Sequence, residues 1–251
     1  MTVTSADEGA ARIVRWDRQD RRNAWDLDTM TAIADAIASA GDEPALRCVV
    51  LRGAGDHFSA GDDLQAAIKA DATSWAATIQ AFQRMTRVVL DSPLPAIAVV
   101  DGVCVGGALE FAASCDMRLC SDRIRLLTPE VGIGLVASNA GTLLLPEVLG
   151  ETAARELLLT GVERDAAWAR EHGFATEMVP AAELDARVEH WADVLAQRSR
   201  DAVAATKSML NERFGSLLTD AMDRETHHCV RLFGEPDAQA ALGEFAERRR
   251  G

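Results

Sequence analysis

The chain has 251 residues, 48% of them hydrophobic and 26% charged, enough apolar material for one large core. Its formal net charge of -13 argues against a nucleic-acid partner, which needs a basic face to neutralise phosphates. The longest uncharged run, Val131 to Pro146, spans 16 residues and is broken by Gly, Ser and Asn, too short and too polar to cross a membrane.

In chain order, "MTVTSADEGA" lacks the basic and apolar parts of a signal peptide. "ARIVRW" (Ala11–Trp16) and "CVVLRG" (Cys48–Gly53) are expected as strands. Between them Asp26 is placed to cap a helix carrying Leu27, Met30, Ile33, Ala34 and Ile37 on one stripe. "PAIAVV" (Pro95–Val100) is a continuous apolar run, as for a strand buried on both faces. "MRLCS" (Met117–Ser121) and "TEMVP" (Thr176–Pro180) are further strands. Helical patterns cover Ser74–Leu90, Leu109–Ala113, Asn139–Leu149, Thr152–Leu159 and Ala182–Ala196, and after Ala182 no strand is expected. Strands alternating with helices imply an α/β core, followed by a helical C-terminal region. Five cysteines with no CxxC pair read as reduced thiols, and a cytoplasmic location is expected.

Two strand-to-helix junctions are rich in small residues. "HFSAGDDL" (His57–Leu64) and "DGVCVGGALE" (Asp101–Glu110) each leave backbone N–H groups free to meet a negative oxygen. Neither fits the dinucleotide or phosphate-loop patterns, and no HExxH or GxSxG is present. Glu110 lies in an apolar stretch with no basic neighbour in sequence, a costly place for a carboxylate. Glu130, in "LLTPEVGIGL", is a second acid in similar surroundings. Two carboxyls sharing a dry site have pKa values pushed apart, so one holds a proton while the other accepts one. Among the histidines, His227 and His228 are adjacent on a predicted helix, so their side chains diverge.

Seven segments in order resemble the crotonase superfamily, the enoyl-CoA hydratase/isomerase family. They are "RRNAWDLDTM", "FSAGDDL", "VVDGVCVGGALEFAASCDMRLCS", "TPEVGIGL", "LLLTG", "ATEMVPAAEL" and "TKSMLNE". The resemblance implies an α/β fold, a spiral of ββα units over residues 1–195, with a helical trimerisation region over residues 196–251. It implies an oxyanion hole from the N–H groups of Ala60 and Gly107, and catalytic roles for Glu110 and Glu130. It further implies that the CoA thioester is held by Arg22, Ala24, Ala60, Gly61, Asp62, Asp63, Leu64, Gly106 and Gly107. No separate cofactor or metal is implied, since coenzyme A is part of the substrate. A homotrimer or homohexamer is expected.

The leading activity is hydration of a trans-2-enoyl-CoA, with enoyl-CoA isomerisation or another crotonase-type acyl-CoA reaction as the alternative. A non-catalytic acyl-CoA-binding subunit is less favoured, because a retired site has no need of two buried acids. Three departures from the family pattern stand out. Ala108 takes the place of a third glycine, "LVASNAGT" (Leu135–Thr142) replaces a Pro-Gly-rich loop, and tyrosine is absent.

Overall fold

The structure, a computed structural model, describes residues 2–248, so the last three residues of the expected C-terminal region lie outside it. A six-stranded sheet has the order β1-β2-β3-β4-β6-β9, and a three-stranded sheet the order β5-β7-β8. The strands are β1 (Thr2–Glu8), β2 (Ala11–Asp17), β3 (Cys48–Gly53), β4 (Ala96–Val100), β5 (Val103–Val105), β6 (Met117–Ser121), β7 (Arg125–Leu127), β8 (Arg164–Asp165) and β9 (Glu177–Val179). In the large sheet only the β1–β2 hairpin is antiparallel; β2 through β9 pair in parallel. The helices are α1 (Leu27–Gly41), α2 (Leu64–Ala67), α3 (Ala72–Asp91), α4 (Gly107–Ser114), α5 (Gly141–Leu149), α6 (Glu151–Thr160), α7 (Ala166–Glu171), α8 (Leu184–Ala196), α9 (Arg200–Glu212), α10 (Gly215–Phe233) and α11 (Pro236–Arg248).

The parallel strands and helices form a spiral in which one unit recurs. A strand of the large sheet is followed by a short extended piece in a second layer, then by a helix. β4, β5 and α4 make one such turn; β6, β7 and the 3-10 turn Glu130–Ile133 make the next. In the earlier turns the second layer shrinks to isolated bridges, Trp25 with Asp62 and Ser59 with Cys104. Asp62 thus lies in the second-layer piece of one turn, and Gly107 and Glu130 follow that piece in the next two. This regularity positions the site.

Local chemistry explains these elements. Asp26 caps α1 by accepting the Thr29 N–H, and Met30, Ile33, Ala34 and Ile37 are buried along the expected stripe. All five residues of β4 are buried, as a strand covered on both faces requires. Trp16, Trp25, Phe58, Phe82 and Phe111 meet with centroids 5.1 to 6.2 Å apart, mostly edge to face. Each such pair contributes about 0.5–1.5 kcal/mol beyond area burial. The Trp16 indole also donates to the Phe58 carbonyl at 2.7 Å, fixing the chain just before the first junction.

β1 has no apolar alternation, and its exposed Thr, Ser, Asp and Glu suit an edge strand that must not recruit another chain. β5, β7 and β8 hold two or three residues each, too few to show a period. After Leu184 the described residues form helices joined by short turns, with no strand among them, as expected. Lys207 on α9 is buried and ties the region to the core. Its Nζ donates to the carbonyls of Val89 (2.7 Å) and Leu94 (2.9 Å) and pairs with Asp116 at 2.8 Å.

Candidate active site

The first junction bends at Gly61, whose φ of +81° favours glycine. A Cβ on Gly61 would stand 2.6 Å from the Val105 carbonyl oxygen and 3.8 Å from the Gly107 nitrogen, so the two junctions abut. The Trp25–Asp62 bridge sets the direction of the Asp62 amide. Trp25 N–H donates to Gly61 O (2.8 Å) and Asp63 N–H donates to Trp25 O (2.9 Å). The groups flanking Asp62 thus face Trp25, and the N–H of Asp62 itself points the other way. Among the described residues it has no protein acceptor. At the second junction Gly107 opens α4, where a first-turn N–H has no intrahelical partner.

Ala60 departs from expectation. Its N–H donates to the Arg22 carbonyl at 2.9 Å, so it is not free to meet a substrate oxygen. The free amide lies two residues further on. The hydroxyl of Ser59 also accepts the Gly61 N–H at 3.0 Å, which completes the satisfied side of the turn.

Glu110 projects from α4 into the start of α5. Its Oε2 accepts the N–H groups of Asn139 (2.7 Å), Gly141 (3.1 Å) and Ser138 (3.3 Å), while its Oε1 is buried without a partner. Burial pushes its pKa well up, the charges of Glu225 and Glu130 push further, and the backbone donors oppose the shift. When protonated it carries the hydrogen on Oε1, because Oε2 is already engaged.

Glu130 sits at the head of the 3-10 turn. Its Oε1 lies where a Cβ on Gly106 (φ +58°) would come within 2.7 Å, so glycine there leaves room for the carboxyl. Burial raises Glu130 to about 7, with the Glu225 charge adding to the effect. Asp62 is raised to about 8 by burial, then by the charges of Glu130 and Asp63.

Glu225 on α10 is a site residue that the sequence motifs do not mark. It is buried, and accepts the N–H of Ala140 (2.6 Å), the N–H of Thr142 (2.8 Å) and the Thr142 hydroxyl (2.6 Å). Together Glu110 and Glu225 hold the segment 138–142, where Ala140 has a φ of +60°. The one signal for Glu225 is an acid on an apolar stripe, with Ala221, Met222 and Cys229 one turn away on either side.

The other expected binding residues have varied placements. Asp63 caps α2 by accepting the Gln65 N–H and pairs with Arg18 at 2.7 Å. Ala24 is buried, and the side chain of Arg22 is exposed beside it. Asn23 is a clamp, accepting the Arg18 N–H and donating to the carbonyls of Ala54 and His57. His57 accepts the Val103 N–H at 3.3 Å, and His227 and His228 are exposed on α10.

Two cavities meet here. An outer cleft of about 700 Å³ runs between α1 and α3, with Trp25, Asp63, Ala66 and Lys69 among its walls. An inner one of about 40 Å³ is bounded by Leu64, Gly106, Gly107, Glu130, Leu135 and Ser138, among others. Glu110 stands behind Ser138, whose N–H it accepts.

A family profile described as enoyl-CoA hydratase/isomerase matches residues 7–251. The chain belongs to that family. It is 34% identical over 190 residues to a carnitinyl-CoA dehydratase of Proteus mirabilis, covering 75% of this chain and 72% of the relative. It is 29% identical over 235 residues to a crotonyl-CoA hydratase of Syntrophomonas wolfei, covering 93% and 90%. The crystal structure of an enoyl-CoA hydratase from Mycobacterium avium subsp. paratuberculosis superposes with a TM-score of 0.89 at 26% identity, covering 98% and 96%. The spiral and its C-terminal helices are thus those of the crotonase fold, and the family acts on acyl-CoA thioesters.

Proposed function

We propose that the protein is an enoyl-CoA hydratase, adding water reversibly across the double bond of a trans-2-enoyl-CoA. The observation that carries the reading is the juxtaposition of two free main-chain N–H groups, at Asp62 and Gly107, with the carboxyl of Glu130 at the inner cavity, Glu110 lying behind Ser138. The thioester carbonyl accepts both N–H groups, which stabilise the enolate that develops on its oxygen. Glu110 accepts a proton from water as the water oxygen bonds to the β-carbon. Glu130, which titrates near neutrality, gives its proton to the α-carbon. The reverse reaction runs these transfers backward. No cofactor is needed beyond the CoA carried by the substrate, whose nucleotide end the outer cleft would receive. Loss of the ultraviolet absorbance of crotonyl-CoA on mixing with the protein tests the activity.

One observation favours a second reading, enoyl-CoA isomerisation. Glu110 is fully buried and held through Oε2 by three N–H groups, whereas Glu130 faces the inner cavity directly. A site using Glu130 alone would shift a double bond through one enolate. Turnover of a 3-enoyl-CoA without hydration of any 2-enoyl-CoA would select this reading.

A homotrimer or a hexamer of paired trimers is proposed for the assembly. Met209, Leu210 and Leu217 are more than half exposed on α9 and α10, an apolar surface suited to a second copy. Light scattering that returned a monomer would overturn it.

A further inference from the structure

Asp62 and Trp75 line both cavities and so form the neck between them. Trp75 is only 4% exposed, with its ring stacked on Phe233 at 4.8 Å. Its indole N–H and the Oδ1 of Asp62 are both buried, and neither has a hydrogen-bond partner. The Cys229 thiol lies beside the indole but is a weak acceptor, and no hydrogen bond forms by geometry. Leaving such groups unpaired is costly, because each has given up water without gaining a partner. The rest of the inner wall is largely apolar, with Leu64, Ile133, Leu135 and Val136. A plain alkyl chain in this space would leave both polar atoms unsatisfied.

The charge balance narrows the choice of ligand. Asp62 and Glu130 both line the inner cavity and Asp63 lines the outer cleft, so an anionic substituent would add to a wall already lined with acids. A hydroxyl satisfies both atoms at no net charge. Its oxygen accepts the indole N–H, and its hydrogen goes to Asp62 Oδ1. The inner cavity of about 40 Å³ exceeds the roughly 10–15 Å³ that one water needs, so a hydroxyl fits there.

We propose that Trp75 and Asp62 are specificity residues which recognise a hydroxyl on the acyl chain beyond the β-carbon, so that the preferred substrate is a short hydroxyacyl thioester. This rests on the acyl-CoA reading above. Because it concerns binding, it is tested on saturated thioesters that cannot react.

Calorimetry would compare 4-hydroxybutanoyl-CoA with pentanoyl-CoA, in which a methyl replaces the hydroxyl. The wild-type protein should bind the hydroxyl ligand about 10- to 100-fold more tightly. Trp75→Phe keeps the stacked ring but removes the N–H, and should bring the ratio close to one. Asp62→Ala should do the same, while Asp62→Asn, which still accepts a hydrogen bond, should retain the preference. Equal or tighter binding of pentanoyl-CoA by the wild type overturns the proposal, as does a ratio unchanged in both Trp75→Phe and Asp62→Ala. Failure to bind either ligand overturns the acyl-CoA reading together with it. Discrimination in binding without turnover of 4-hydroxybut-2-enoyl-CoA strikes only the hydration step and supports the proposal.

Discussion

Replacing Gly61 by Ala perturbs the main chain between the two junctions and leaves every acid in place. Two costs follow from the geometry. At φ +81° an L-residue loses about 1–2 kcal/mol relative to its ordinary conformations. The new methyl would lie 2.6 Å from the Val105 carbonyl, a backbone atom that cannot rotate aside, and such overpacking adds about 1–3 kcal/mol. The combined loss of about 2–5 kcal/mol corresponds to a melting temperature lower by about 4–20 °C for a chain of this size. Relief of the contact requires the Asp62 and Gly107 amides to move apart. Misplacing one oxyanion donor lowers turnover by about 100- to 1000-fold. Gly9→Ala is the control, because Gly9 also has a positive φ (+59°) but nothing lies within 4 Å of its Cβ position. It should lose about 1–2 kcal/mol and keep its activity. The assay is kcat/KM for hydration of crotonyl-CoA beside thermal unfolding of each variant. A folded Gly61→Ala protein with wild-type kcat/KM would refute the assignment of the two amides.

The two glutamates should separate under amide substitution. Glu110→Gln should abolish hydration yet leave exchange of the α-hydrogen with heavy water, whereas Glu130→Gln should lose both, each by about 100- to 10,000-fold; mass spectrometry of the recovered thioester reads the exchange. Glu225→Ala strips acceptors from the Ala140 and Thr142 amides, so unfolding should come about 2–4 kcal/mol sooner, measured in urea. Lys207→Met removes the charge partner of Asp116 and the donor to two carbonyls, and should cost about 3–5 kcal/mol by the same measurement. The pH dependence has a definite sign. Asp62, Glu110, Glu130 and Glu225 have folded pKa values above their unfolded ones, so the folded state binds more protons between about pH 4 and 8. Stability contributed by these groups is full below the unfolded values and is lost as pH rises through the folded ones. The melting temperature should therefore fall from pH 6 to pH 8, and Asp62→Asn should flatten that slope.

Much of this site is legible in the sequence, because its chemistry is unusual for its surroundings. Glu110 stands out as an acid in an apolar stretch, and it is fully buried. The stripe of α1 and the uninterrupted apolar run of β4 announce their own periods. The identity of the free amide at the first junction is beyond the reach of sequence, because Ala60 and Asp62 lie only two residues apart, on either side of the bend at Gly61. Only the distant pairing with Arg22 and Trp25 distinguishes them. Glu225 escapes for a related reason: its task lies with Ala140 and Thr142, more than eighty positions away in sequence.

The two amides at the heart of the proposed chemistry belong to the main chain and lie in successive turns of the spiral. No exchange of side chain deletes a main-chain N–H, apart from the introduction of proline. A scan by alanine removes neither donor, so whatever it registers at Asp62 or Gly107 comes from the side-chain change, such as the 2.6 Å approach of a Gly107 Cβ to Phe82. Heritable change is thereby channelled to the acids and cavity walls around a fixed electrophilic cradle. On the proposed chemistry, one reaction can be traded for another through the acids and cavity walls while the two N–H groups stay as they are.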